Sequence, residues 1–88
     1  MAWTVKYGSG VEKQLRKLGQ EPQRRIRRHM ESVVARLDDP RQAGSALMGQ
    51  LSGYWRYRIG DYRVLCRIID GELLVLVVEV GHRREVYR

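Results

Sequence analysis

The 88 residues, 43% hydrophobic and 31% charged, suffice for one domain (1–88) and leave no room for a second. No apolar run approaches the roughly 18 residues that span a bilayer, the N-terminal M-A-W-T-V-K-Y lacks the layout of a signal peptide, and a lone cysteine, Cys66, suits a reducing cytoplasm. A net charge of +7, carried mostly by arginine, predicts a polyanionic partner, because the planar guanidinium fork suits phosphate better than an ammonium does.

Trp3, Val5 and Tyr7 alternate with polar neighbours as in a short half-buried strand, and Gly8-Ser9-Gly10 turns the chain. Ser9 followed by Glu12 reads as a capping box opening a helix with Val11, Leu15 and Leu18 on one face. Gly19 ends it, and Pro22 belongs in the first turn of a second helix whose apolar stripe is Ile26, Met30, Val33, Val34 and Leu37, stopped at Asp38-Asp39-Pro40. Arg24, Arg25, Arg27 and Arg28 on that helix read as a solvated face, with contact to nucleic acid or ribosomal RNA the alternative; His29 reads as a boundary histidine. A loop from Pro40 to Gly53 should tuck Leu47, Met48 and Leu51 under a sheet.

The segment from Tyr54 to Val80 carries the most information. The turn dipeptides Gly60-Asp61 and Asp70-Gly71 divide it into three antiparallel strands joined by two-residue loops. Pairing Ile59 with Tyr62 sets Arg58 opposite Arg63 and Tyr54 opposite Arg67, and pairing Ile69 with Glu72 sets Arg67 opposite Leu74 and Arg63 opposite Val78. Strict alternation then gives a helix-facing side of Trp55, Tyr57, Ile59, Tyr62, Val64, Cys66, Ile68, Leu73, Val75 and Val77. The other side holds Tyr54, Arg56, Arg58, Arg63 and Arg67, with Leu74, Leu76, Val78 and Val80 on the last strand. The predicted fold is α+β: a small antiparallel sheet with an N-terminal strand and a helical hairpin on one face.

Two arginines directly opposed across a strand pair cost stability unless an anion lies between them. The face holding Arg56, Arg58, Arg63 and Arg67 therefore reads as a phosphate site, with Tyr54 at its edge offering a ring for a base. Neither a metal-ligand cluster nor a cofactor motif is visible, and Cys66 points into the core, so no metal or cofactor is expected. Gly81 should bend the chain out of the last strand and return His82, Arg83 and Tyr87 towards the arginines. Cleaving a phosphodiester without metal requires a nucleophile, which RNA supplies as its 2'-hydroxyl, a proton acceptor, a proton donor and positive charge on the phosphorane.

The stretch Y-W-R-Y-R-I-G-D-Y-R-V-L-C-R-I-I-D-G-E-L-L-V-L-V-V-E-V-G-H-R-R-E-V-Y, Tyr54 to Tyr87, resembles the strand core and C-terminus of RelE toxins in the RelE/ParE superfamily. The resemblance implies a type II toxin that cuts mRNA in the ribosomal decoding site by 2'-hydroxyl attack, inhibits translation, and is held inactive by an acidic, RelB-like antitoxin. It implies the ribosome with its mRNA and ribosomal RNA as partners. It further implies that Tyr87 is the catalytic tyrosine, Arg83 a proton donor or phosphate stabiliser, and Arg63 a phosphate-binding arginine. Arg56 and Tyr54 stand where relatives carry lysines, which leaves His82 as an alternative proton acceptor to Tyr87. A ParE-like inhibitor of DNA gyrase and a non-catalytic RNA- or ribosome-binding module are the competing readings; the H-R-R-E-V-Y ending favours RelE.

Overall fold

A computed structural model describes residues 3–82 of the chain. Strand β1 (Thr4–Tyr7) leads into helices α1 (Val11–Leu18) and α2 (Gln20–Ser32), and the remaining strands are β2 (Ser45–Ala46), β3 (Trp55–Ile59), β4 (Tyr62–Ile69) and β5 (Leu74–His82). The five strands form one sheet in the order β1-β5-β4-β3-β2. It is a mixed sheet, because β1 runs parallel to β5, with Thr4 beside Leu74 and Tyr7 beside Val77, while the other pairs are antiparallel.

The helices break at Gly19, whose φ of 100° lies in the left-handed region that glycine tolerates. The expected capping box does not form: Gly10 is the N-cap of α1, and Glu12 instead pairs with Arg27 of α2. The Arg27 guanidinium also lies 4.7 Å over the Tyr7 ring, and the Tyr7 hydroxyl donates to Glu31 at 3.2 Å, so one cluster ties both helices to β1. Burial, and then the Glu31 carboxylate, push the Tyr7 phenol well above its ordinary range. Helix α2 stops at Ser32, earlier than its apolar stripe suggests. Val34 remains buried in a following tight turn, whereas Val33 is 44% exposed.

Val11, Leu15, Ile26, Met30 and Val34 pack on Tyr57, Ile59, Val64, Cys66, Val75, Val77 and Val80 to form the core. Cys66 is buried as expected, and that burial pushes its thiol pKa up, which makes it inert as a nucleophile. The β3–β4 pairing has the register read from the sequence, from Ile59 opposite Tyr62 to Arg56 opposite Leu65. The β4–β5 pairing differs. Ile69 pairs with Leu74 rather than Glu72, because Asp70–Glu72 form a tight turn closed by Leu73 in a left-handed conformation at φ 49°. Leu73 is accordingly exposed and does not face the helices.

A shift of two residues keeps every side chain on its face, but a second irregularity does not. Leu65 pairs with Glu79 while Cys66 pairs with Val77, so Val78 is an extra residue in β5 and the alternation reverses beyond it. Val80 therefore joins the core, 4% exposed, instead of the arginine face. Its backbone N–H donates to Oε1 of Gln14 on α1 at 2.9 Å.

Beyond the buried Val34, Ala35 and Pro40, the segment between α2 and β3 is held by aromatic donors. Trp3 Nε1, Tyr57 OH and Trp55 Nε1 donate to the carbonyls of Asp38, Pro40 and Ala43 at 3.1, 2.7 and 2.7 Å. At Gly44, φ is 75° and an added β-carbon would meet the Arg56 carbonyl at 2.4 Å, so only glycine lets β2 lie against β3 there. Of the residues expected beneath the sheet, Leu47 and Leu51 are half-buried and Met48 is 87% exposed.

The Gln14 bond gives a direct test. Gln14→Met keeps length but removes the acceptor, leaving the Val80 N–H unsatisfied, and should lower stability by about 1–3 kcal/mol in urea unfolding. An unchanged midpoint would show that this contact does not secure the β5 irregularity.

Candidate nucleic-acid interface

On the face of the sheet away from the helices, the register sets Arg58 opposite Arg63 and Arg63 opposite Gly81. One step further, Arg56, Leu65 and Glu79 share a row, and Arg67 lies opposite Leu76. Directly opposed residues hold their β-carbons about 4.5–5.5 Å apart, so Arg58 and Arg63 are immediate neighbours. Arg56 donates from Nη2 to the Ser45 hydroxyl of β2 at 3.1 Å, which anchors its guanidinium towards the sheet edge. Arg63 is half-buried, while Arg58 and Arg67 are exposed and form no ion pair among the described residues.

Tyr54 precedes β3 and, with Ser52, Gly53 and Arg67, lines a cleft of about 220 Å³. Its backbone is held on both sides, its N–H donating to Leu51 O at 3.1 Å and its carbonyl accepting from Leu47 N at 3.2 Å. The ring and the Arg67 guanidinium thus share one recess at the edge of the arginine face, although Tyr54 itself lies just outside the strand ladder.

Three features differ from the sequence expectation. Gly81 does not bend the chain away; it stays in β5 and presents no side chain opposite Arg63. His82 pairs with Tyr62, and their rings meet edge to face at 5.9 Å between centroids, so the imidazole lies on the Tyr62 side of the sheet and not with the arginines. Glu79 takes a position on the arginine face, diagonal to Arg63, that the unbroken alternation assigns to apolar side chains. The sides taken by His82 and Glu79 follow from the extra residue in β5. Arg83 and Tyr87 lie outside the described residues.

Chemically, the face offers guanidinium forks at the spacing of one strand pair and a partly exposed aromatic ring beside them, a combination suited to phosphate and an unpaired base. The described tyrosines with clearly raised pKa, Tyr7 and Tyr57, are both held protonated by burial and belong to the helix-facing side.

The ParE toxin family of type II toxin-antitoxin systems, parDE, matches residues 5–87. Toxin RelG of Mycobacterium tuberculosis (strain ATCC 25618 / H37Rv) is 33% identical over the whole of this chain and 99% of its own length. The chain belongs to the RelE family of the RelE/ParE superfamily. Among solved structures, the RelBE2 toxin-antitoxin complex of M. tuberculosis superposes on this RelE-family chain with a TM-score of 0.86 at 27% identity, covering 97% of this chain and 95% of the other. An E. coli RelE variant bound to an antitoxin RelBc peptide gives 0.72 at 25% identity, covering 93% and 84%. The protein is thus a toxin of the type II class with a RelE-like α+β fold.

For this RelE-family toxin the opposed arginines make a stability prediction. Arg58→Gln should leave the free protein as stable as the parent, or more stable by a few tenths to about 1 kcal/mol, since it relieves a like-charge cross-strand pair. Urea unfolding decides it: a loss above roughly 1 kcal/mol would make Arg58 a structural ion-pair partner instead.

Proposed function

We propose that this toxin is a ribosome-dependent mRNA endonuclease that cuts in the ribosomal A site and so inhibits translation. The observation that carries the reading is the Arg58–Arg63 pair on the sheet face away from the helices, in the same row as Gly81 at the end of β5. In this mechanism the 2'-hydroxyl of the substrate attacks the adjacent phosphorus, the bond to the 5'-oxygen breaks, and a 2',3'-cyclic phosphate and a 5'-hydroxyl form. Arg63, assisted by Arg56, Arg58 and Arg67, holds the non-bridging oxygens, whose negative charge grows in the transition state. Tyr87, as its phenolate, takes the proton of the 2'-hydroxyl. Arg83 stabilises or protonates the departing oxygen. His82 receives no part in proton transfer, because its ring lies against Tyr62. Tyr54 offers a stacking surface for a neighbouring base.

Primer extension on mRNA recovered from a translation reaction, run beside a gyrase supercoiling assay, tests this function. The parent protein should cut, Arg83→Ala and Tyr87→Phe should lose about 100-fold or more in rate, and His82→Gln should stay within a few-fold of the parent. Uncut mRNA with blocked supercoiling would establish the ParE-like reading instead. Uncut mRNA with arrested ribosomes would indicate a non-catalytic binding module.

The resting toxin requires a cover for this face. An acidic, RelB-like antitoxin would neutralise the arginines and shield Leu76 and Val78, and the antitoxin-bound structures of RelE relatives support such a partner. Hydrogen exchange with and without the antitoxin should show new protection from Val78 to Tyr87. Protection confined to the helices would mean inhibition by blocking ribosome entry.

A further inference from the structure

A second concentration of arginine lies around the end of the sheet. Arg25, Arg28 and His29 are spaced three and four residues apart along α2 and so share one strip of its surface, and Val33 follows at its end. Across from them stand Arg58 at the end of β3 and the β3–β4 turn at Gly60, and between the two walls lies a cleft of about 370 Å³. That volume falls within the range of small-ligand sites, which begins near 300 Å³. The Arg25 guanidinium lies flat over the turn: a β-carbon added at Gly60, where φ is 60°, would come within 3.1 Å of Cζ, Nη1 and Nη2 alike.

The neighbouring arginines of α2 are paired with carboxylates, Arg24 with Glu21 at 4.0 Å and Arg27 with Glu12. Those that line the cleft are not: among the described residues, Arg25, Arg28 and Arg58 make no ion pair and no carboxylate lies on the walls of the cleft. Burial lowers the pKa of His29, so it stays uncharged at neutral pH and can both donate and accept. Three like charges converging on one recess repel one another in the free protein, and a bound anion turns that repulsion into attraction. Arg58 belongs to both surfaces, since it faces Arg63 in the ladder and also lines the cleft. A polyanion bound at Arg63 therefore meets Arg58 next and the cleft beyond it.

We infer that the recess between α2 and the β3–β4 turn is a second phosphodiester site, which holds the RNA strand that leaves Arg63 around the end of the sheet. The identity of the strand rests on the proposed nuclease function; the convergence of Arg25, Arg28 and Arg58 on the cleft does not. Phosphates engage Arg25, Arg28 and Arg58, while the apolar surface of Val33, exposed at the cleft, lies beneath a sugar or base.

The test uses two fluorescent 2'-O-methyl oligoribonucleotides, one short and one long, which cannot be cleaved because the nucleophile is blocked. In the parent, affinity by anisotropy should rise with length, and the amides of Val33 and Gly60 should shift in NMR spectra only with the longer one. Arg25→Gln combined with Arg28→Gln should weaken the long oligonucleotide by about 10-fold or more, lower its salt slope by about 2, and leave the short one unchanged. Arg24→Gln, outside the cleft, should change neither. Equal binding of the long oligonucleotide by parent and double variant would overturn the site, as would shifts at Val33 and Gly60 produced by a glutamate-rich peptide but not by RNA. Binding is read without cleavage, so a parent that binds this way but cuts no mRNA keeps the site while losing the nuclease.

Discussion

The extra residue in β5 governs what each face of the sheet receives. Strand side chains alternate, so one unpaired residue reverses the assignment of all that follow. Before Val78 the strand gives Val75 and Val77 to the helices; after it the strand gives Val80 and His82 to that side and Glu79 and Gly81 to the arginines. With unbroken alternation, Val80 would leave the core and His82 would stand among the guanidiniums. The core holds the displaced strand from the other side, since Gln14 of α1 takes the Val80 N–H. A polar side chain on a helix thereby helps to fix which residues share the sheet face with the arginines.

A second constraint joins the core to the arginines at the opposite edge. Trp55 and Tyr57 alternate with Arg56 and Arg58 along β3, and the inner pair of side chains holds the carbonyls of Ala43 and Pro40. This grip brings Ser45 beside Arg56, where its hydroxyl accepts from the guanidinium. Further along the same segment, Arg41 forms a two-bond fork with Asp70 at 2.9 and 2.8 Å, which keeps that carboxyl below its ordinary range and links the segment to the β4–β5 turn. The segment between α2 and β3 works as a brace made of carbonyls and turns.

Much of this was legible in the sequence. Gly60-Asp61 fixed the first hairpin to the residue, and with it the opposed arginines. Asp70-Gly71 looked equally clear but misled by two positions, because Glu72 and Leu73 also enter the turn and Leu73 adopts a conformation that its side chain does not advertise. The irregularity in β5 was hidden for a different reason: V-L-V-V-E-V is nearly all apolar, so no change of phase shows in the pattern. Ser9 and Glu12 had capping spacing, but Arg27, distant in sequence, captured the glutamate. The arginines of α2 read as a uniform solvated face because sequence spacing does not distinguish those with carboxylate partners from those that converge on a cleft.

The parallel pairing of β1 with β5 has a consequence for how the chain assembles. Among the described residues, β1 has its one sheet neighbour in β5, and β5 also supplies the link between β1 and the three strands beyond it. Until Leu74–Val77 have been synthesised, β1 has no sheet partner, and the apolar sides of α1 and α2 lack much of their bed. The contacts that close the structure are therefore far apart in sequence, which slows folding and delays it until β5 is available. A nascent chain cannot complete the sheet, or the arginine face borne on it, until β5 has been made.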